Sequence, residues 1–134
     1  MMGLTRKGEY AIRGMVYLAE QEPGKLILIS EIAAAVDVPQ SFLAKIFQSF
    51  TRLGMVRSSR GAGGGFSLAR PAAKITLREV VEAVEGPICP NRCLTGAGTC
   101  ERSGTCNVHP VWRKVQEQVK QILDNVTLAE LTNP

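Results

Sequence analysis

Four cysteines, Cys89, Cys93, Cys100 and Cys106, fall within eighteen residues of a 134-residue chain. The gaps between them run three, six and five residues, and two more separate Cys106 from the chain's single histidine, His109. Three sulfurs and one imidazole nitrogen make a donor set for zinc or for an iron–sulfur cluster. Zinc knuckles ordinarily use Cys-x-x-Cys pairs, and this sequence has none; longer spacings on a glycine-rich segment suit a larger cluster better. A metal-free reading stays open, in which the thiols form a thiol–disulfide switch. His109 directly precedes Pro110 and so stands near a helix N-terminus. The positive end of that helix dipole disfavours an imidazolium and leaves the neutral ring a metal needs. The same field favours a thiolate at Cys106 if its sulfur approaches the helix end.

The elements on either side must position this segment. Residues 88–108 show no apolar periodicity, and a loop of that length in a small domain is expected to be functional or held by something. Before it, Thr76-Leu77-Arg78-Glu79 reads as a capping box that starts a short helix with Val80, Val81 and Val84, closed by Gly86-Pro87. After it, a long helix runs from Pro110 to about Asn125. Val108, Trp112, Val115, Val119, Ile122 and Val126 are spaced 4, 3, 4, 3, 4 along it, a heptad seam that can pack on its own domain or pair with a second copy. Thr127-Leu128-Ala129-Glu130 is a second capping box and begins a small terminal turn.

The N-terminal half carries the charge. Residues 1–70 hold nine Lys/Arg against five Asp/Glu, whereas residues 71–134 hold seven of each. No acid lies between Asp37 and Glu79, a stretch that carries Lys45, Arg52, Arg57, Arg60, Arg70, Lys74 and Arg78. This is a candidate phosphate-binding face, the alternative being a solvated surface depleted of acids by chance. Aromatics are only 5% of the chain, so stacking on single strands is not expected.

The same half reads as a mainly α winged helix-turn-helix. A first helix spans Lys7 to about Gln21, with Ala11, Ile12, Met15, Val16 and Ala19 at helical spacing. Ser30 is the expected N-cap of a second helix using Ile32, Ala33 and Val36, broken at Asp37-Val38-Pro39, and Pro39 suits the first turn of a third. In that third helix Leu43, Ile46, Phe47 and Phe50 must face inward, which turns Gln40, Ser41, Ala44, Lys45, Gln48 and Arg52 outward. Gly54 stops it. Two short helices with a tight break, followed by a hairpin of 55–60 and 66–70 with the tip Gly61-Ala62-Gly63-Gly64-Gly65, outline a small β-hairpin wing. The tip lets backbone approach a phosphate closely, with Arg57, Arg60 and Arg70 flanking it.

In these residues the chain resembles, over nearly its whole length, the Rrf-type family of bacterial winged-helix transcription regulators that includes IscR, NsrR and CymR. Leu4 to Ala11 resembles the family's opening, Arg60 to Phe66 its wing, Cys93, Cys100 and Cys106 its cluster cysteines, and His109 to Trp112 with Leu123 to Leu128 its dimerisation helix and end. The resemblance implies a homodimer whose heptad helices cross, bound to a near-palindromic operator in double-stranded DNA. It implies that Ser41, Phe42 and Lys45 meet the major groove and Arg60 the minor groove. Together with the outward-facing residues, the candidate DNA-contacting set is Gln40, Ser41, Phe42, Lys45, Arg52, Arg60, Gly63 and Gly64. The resemblance further implies a 2Fe–2S or 4Fe–4S cluster on Cys93, Cys100 and Cys106 that senses cluster supply, redox state or nitric oxide. Its fourth ligand is His109, Glu9, which stands where some members supply a carboxylate from the partner subunit, or Cys89. Glu9 also reads as an ordinary first-turn acid stabilising a helix start.

The expected organisation is a DNA-binding domain over 1–86, a cysteine-rich cluster loop over 87–109 and a dimerisation helix with its terminal turn over 110–134. No signal peptide or membrane span is read, so a cytoplasmic protein without a membrane partner is expected. An enzyme is not expected, because no nucleophile can be paired with the single histidine. A metal-free thiol-switch or cysteine-metabolism regulator of the same fold is the nearest alternative, and a small electron carrier docking through its basic face a more distant one.

Overall fold

Helix α1 (Arg6–Ala19) begins where Thr5, with extended backbone, accepts the Gly8 N–H through its side-chain oxygen. It opens the computed structural model, which describes residues 3–61, 64–89 and 107–132. Cys93, Cys100, Cys106 and Gly63 lie outside the described residues. One face of α1 buries Ala11, Met15 and Leu18. Helix α2 (Ile29–Val36) starts two residues earlier than the sequence suggests. Leu28, not Ser30, holds the N-cap position, and no side chain caps it. The cause lies just upstream. Ile27 exchanges backbone hydrogen bonds of 2.9 and 2.8 Å with Phe66, and the helix begins as that bridge ends. Asp37 closes α2 in the left-handed conformation.

Helix α3 (Gln40–Arg52) follows, with Pro39 at its N-cap rather than in its first turn. Leu43, Ile46, Phe47 and Phe50 are all buried, as the periodicity predicts. Phe47 meets Phe50 and Phe66 edge-on, with ring centroids 5.6 and 5.2 Å apart, which packs the hairpin against the buried side of α3. Strands β1 (Val56–Ser59) and β2 (Gly65–Leu68) pair antiparallel, Val56 opposite Leu68 and Ser59 opposite Gly65. Both are shorter than the expected runs, and the bridge from Ile27 adds a third, one-residue rung.

A 3₁₀ turn (Ala72–Lys74) leads to α4 (Leu77–Glu85), whose cap is the predicted one: Thr76 accepts from the Glu79 N–H at 3.1 Å. Helix α5 (His109–Asp124) then runs back along the domain to α6 (Leu128–Leu131), where Thr127 caps through the Glu130 N–H. The chain end is clipped to the core by the Leu77 N–H donating to the Val126 carbonyl, by the Leu128 N–H donating to the Ile75 carbonyl, and by the fully buried Leu128 side chain. Arg78 of α4 donates to Asp124 of α5 at 2.8 Å and to Glu82 at 3.0 Å. The bond to Asp124 favours the charged guanidinium and raises the arginine's pKa above its ordinary value. Among the described residues, no helix is long and apolar enough to cross a membrane.

Candidate nucleic-acid interface and cysteine loop

The buried stripe of α3 decides what its other side offers. Gln40, Ser41, Phe42, Lys45, Gln48 and Arg52 are all exposed, while Ala44, expected outward, is half-buried. Phe42 is the unusual member, an aromatic ring 41% exposed in the helix's first turn. Its ring packs edge-on against Tyr10 of α1 with centroids 5.6 Å apart, and the Arg13 guanidinium lies 5.6 Å from the Tyr10 ring centre. This cluster escapes a reading by apolar periodicity, because Tyr10 and Arg13 flank the buried stripe of α1 instead of lying on it. Arg52 bonds Ser49 at 3.2 Å, which holds its guanidinium on the outer face of α3.

The wing's glycines answer to the protein's own backbone. Gly64 is buried, and a Cβ there would sit 2.3 Å from the Ser59 carbonyl oxygen. Gly65 has φ of 150° and a Cβ on it would lie 2.4 Å from the Ile27 carbonyl oxygen. Both positions therefore require glycine to close the hairpin and admit Ile27. Gly64, one residue of the tip expected to approach a phosphate, is itself covered in the folded chain. Arg57 and Arg60 are exposed. Arg70 differs from the expectation, since it pairs with Glu79 and also donates to the Lys74 carbonyl. Together with Arg78, it is spent on holding elements together, which leaves Lys45, Arg52, Arg57, Arg60 and Lys74 as the cations of the acid-free stretch outside any ion pair among the described residues.

On the opposite side, α4 and α5 frame the cysteine segment. The Ile88 N–H donates to Glu82 at 3.2 Å, and the Ile88 carbonyl accepts from the Gln116 side chain at 2.9 Å. The chain is thus anchored one residue before Cys89. His109 is the first residue of α5, and its Nδ1 is buried with no hydrogen-bond partner among the described residues. Glu9 is exposed in the first turn of α1. Among the described residues no three His, Cys, Asp or Glu side chains converge, and Cys93, Cys100 and Cys106 lie outside them.

The heptad seam is divided by the fold. Val115 and Val119 line a cavity of about 340 Å³ with Leu4, Ile12, Val81 and Cys89, facing their own domain. Ile122 is 61% exposed, with Val108 and Val111 exposed as well. A sixteen-residue amphipathic helix in which no residue is fully buried is an unusual element for a single chain.

Residues 4–134 match the Rrf2 family, described as an iron-dependent transcriptional regulator. The HTH-type transcriptional regulator IscR of Klebsiella pneumoniae (strain 342) is 34% identical over 98% of this chain and 80% of its own length. IscR of Escherichia coli (strain K12 / DH10B) is 33% identical over 98% of this chain and 81% of its own. Among solved structures, CymR, the global cysteine regulator of B. subtilis, superposes with a TM-score of 0.79 at 27% identity, covering 98% of this chain and 96% of that one. IscR of T. potens does so at 0.77 and 25%, covering 96% and 85%. Helix, turn, helix and glycine-closed hairpin agree with these relatives over almost the entire length, and the chain belongs to the Rrf2 family as a winged-helix, DNA-binding transcriptional regulator rather than an enzyme.

Proposed function

We infer that the chain binds a near-palindromic operator as a homodimer and that its grip on DNA follows the state of an iron–sulfur cluster held by the cysteine loop. In this reading 1–86 is the DNA-binding domain, 87–109 the cluster loop and 110–134 the dimerisation segment. Gln40, Ser41, Phe42 and Lys45 enter the major groove, Arg52 neutralises a phosphate, and Arg60 enters the minor groove, with Gly63 and Gly64 of the wing sequence beside the phosphate backbone. The exposed apolar side of α5 supports pairing with a second copy, which sets two recognition helices about one turn of DNA apart.

The observation that carries the sensor reading is the Nδ1 of His109, buried and without a hydrogen-bond partner among the described residues. A buried imidazole nitrogen without a hydrogen bond is costly unless something else occupies its lone pair. His109 stands at the start of α5, where the chain leaves the cysteine segment, and the lone pair of an imidazole nitrogen is what a metal takes. The residues therefore fit the group: Cys93, Cys100 and Cys106 would hold a cluster, with His109, Glu9 or Cys89 completing the set. When bound, such a cluster supplies an inorganic centre open to oxidation, loss or reaction with nitric oxide. The chain's own part is mechanical. The Ile88 bonds to Glu82 and Gln116 join the loop's entry to α4 and α5, so strain in the loop reaches both helices.

Anaerobic purification with iron, sulfide and zinc analysis tests this. Stoichiometric iron and sulfide in the wild type, lost in Cys100→Ala and diminished or spectrally altered in His109→Ala, are expected. Colourless, iron-free protein would reject the cluster. A second reading then gains ground: the similarity to CymR, a cysteine regulator, favours a metal-free thiol switch on the same loop. Operator affinity that changes with dithiothreitol in iron-free protein distinguishes the two.

A further inference from the structure

We propose that α1 carries a second phosphate-binding surface, a stripe of Arg6, Tyr10 and Arg13 that extends the DNA interface beyond α3 and the wing. The inference rests on the DNA-binding reading and adds residues that none of the helix-turn-helix elements supplies. Arg6, Tyr10 and Arg13 stand at i, i+4 and i+7 and share one face of α1. That face is continuous with the recognition helix. Arg13 lies over the Tyr10 ring, and Tyr10 packs edge-on against Phe42, which is exposed in the first turn of α3. Both arginines are exposed, and no ion pair engages either among the described residues. Glu9 is the acid of the same turn, and it pairs with neither.

Two features make the occupant a phosphate backbone instead of an acidic protein. The stripe abuts the N-terminal turn of the helix that enters the groove, where the sugar-phosphate wall of the duplex must pass. A guanidinium resting on an aromatic ring is also held extended at low entropic cost, with its hydrogen-bonding edge open to a planar or tetrahedral oxyanion. Such a contact contributes affinity without reading sequence.

The test is the salt dependence of duplex binding by the full-length chain, measured on an operator and on a random duplex. Arg13→Gln is expected to weaken both by a similar factor, about tenfold, and to make the log–log salt slope shallower by about 2 for a dimer that loses one contact per protomer. Arg13→Lys is expected to keep most of the slope, which a purely structural role for the arginine on Tyr10 would not do. Unchanged affinity and slope in Arg13→Gln overturn the proposal. So does a loss confined to the operator, because Arg13 would then act by placing Phe42 against bases. A wild-type chain that ignores every duplex at low salt overturns the DNA-binding reading and this proposal together, whereas wild-type binding with an insensitive Arg13→Gln overturns this proposal alone.

Discussion

Glu85, the last residue of α4, accepts two hydrogen bonds from Thr5, the residue that caps α1: one from its backbone N–H at 3.2 Å and a short one from its hydroxyl. Eighty positions separate them in the chain. The carboxylate also lies against Gly8, where a Cβ would stand 3.0 Å from Glu85 Oε1. The start of α1 is thereby tied to the residue that precedes Gly86-Pro87-Ile88 and the cysteine loop. A change in the loop's entry has a direct route to the helix that backs Phe42.

Glu85→Ala is expected to lower stability by about 1 kcal/mol, the scale of a lost cap interaction at an exposed site. Urea denaturation measures the loss. Hydrogen exchange should locate it in the first turn of α1 and leave α3 unaffected.

Gly14 sits in α1 beneath Phe47, and a Cβ added there would come within 2.8 Å of the Phe47 ring. Alanine is the better helix former by roughly 1 kcal/mol, but overpacking a rigid, fully buried ring costs about 1–3 kcal/mol. Gly14→Ala is therefore expected to destabilise. Phe47→Leu on the Gly14→Ala background should cost less than the sum of the single changes. Thermal melts of the four proteins in the cycle check this.

Two positions on α5 separate dimerisation from folding. Ile122 is 61% exposed, so Ile122→Glu should yield a folded monomer in sedimentation. Val119 lines the cavity facing Val81 and Ile12, so Val119→Glu should also lower the melting temperature. A dimer that survives Ile122→Glu would remove this side of α5 from the interface.

Arg60 stands exposed at the end of β1, outside any ion pair among the described residues. Arg60→Ala is expected to weaken operator binding by roughly tenfold and to relax A·T preference where the wing reaches the minor groove. Affinity on operator variants changed at those base pairs is the readout. Unaltered binding would take the wing out of the interface.

Much of this architecture was legible in the residues alone. Leu43, Ile46, Phe47 and Phe50 announce both the buried side of α3 and its polar outer face, because a helix shows the same residues to the same side whatever it packs on. Thr76 and Thr127 announce their caps, since a cap is closed by neighbours three residues away. The glycine tip announces a hairpin. What these signals encode is local. Ser30 looks like a cap and is not one, because a backbone bridge from Ile27 to Phe66 decides where α2 begins. Gly64 and Gly65 look like a loose tip, and are required by carbonyl oxygens of Ser59 and Ile27. The seam on α5 reads as one stripe, yet Val115 and Val119 turn to their own domain while Ile122 does not. Arg70 reads as a free cation until Glu79 meets it. Sequence periodicity determined which faces are apolar and which donors exist. Only the folded chain decided what each face and each charge meets, since those partners are brought together by packing across tens of residues that no local pattern spans.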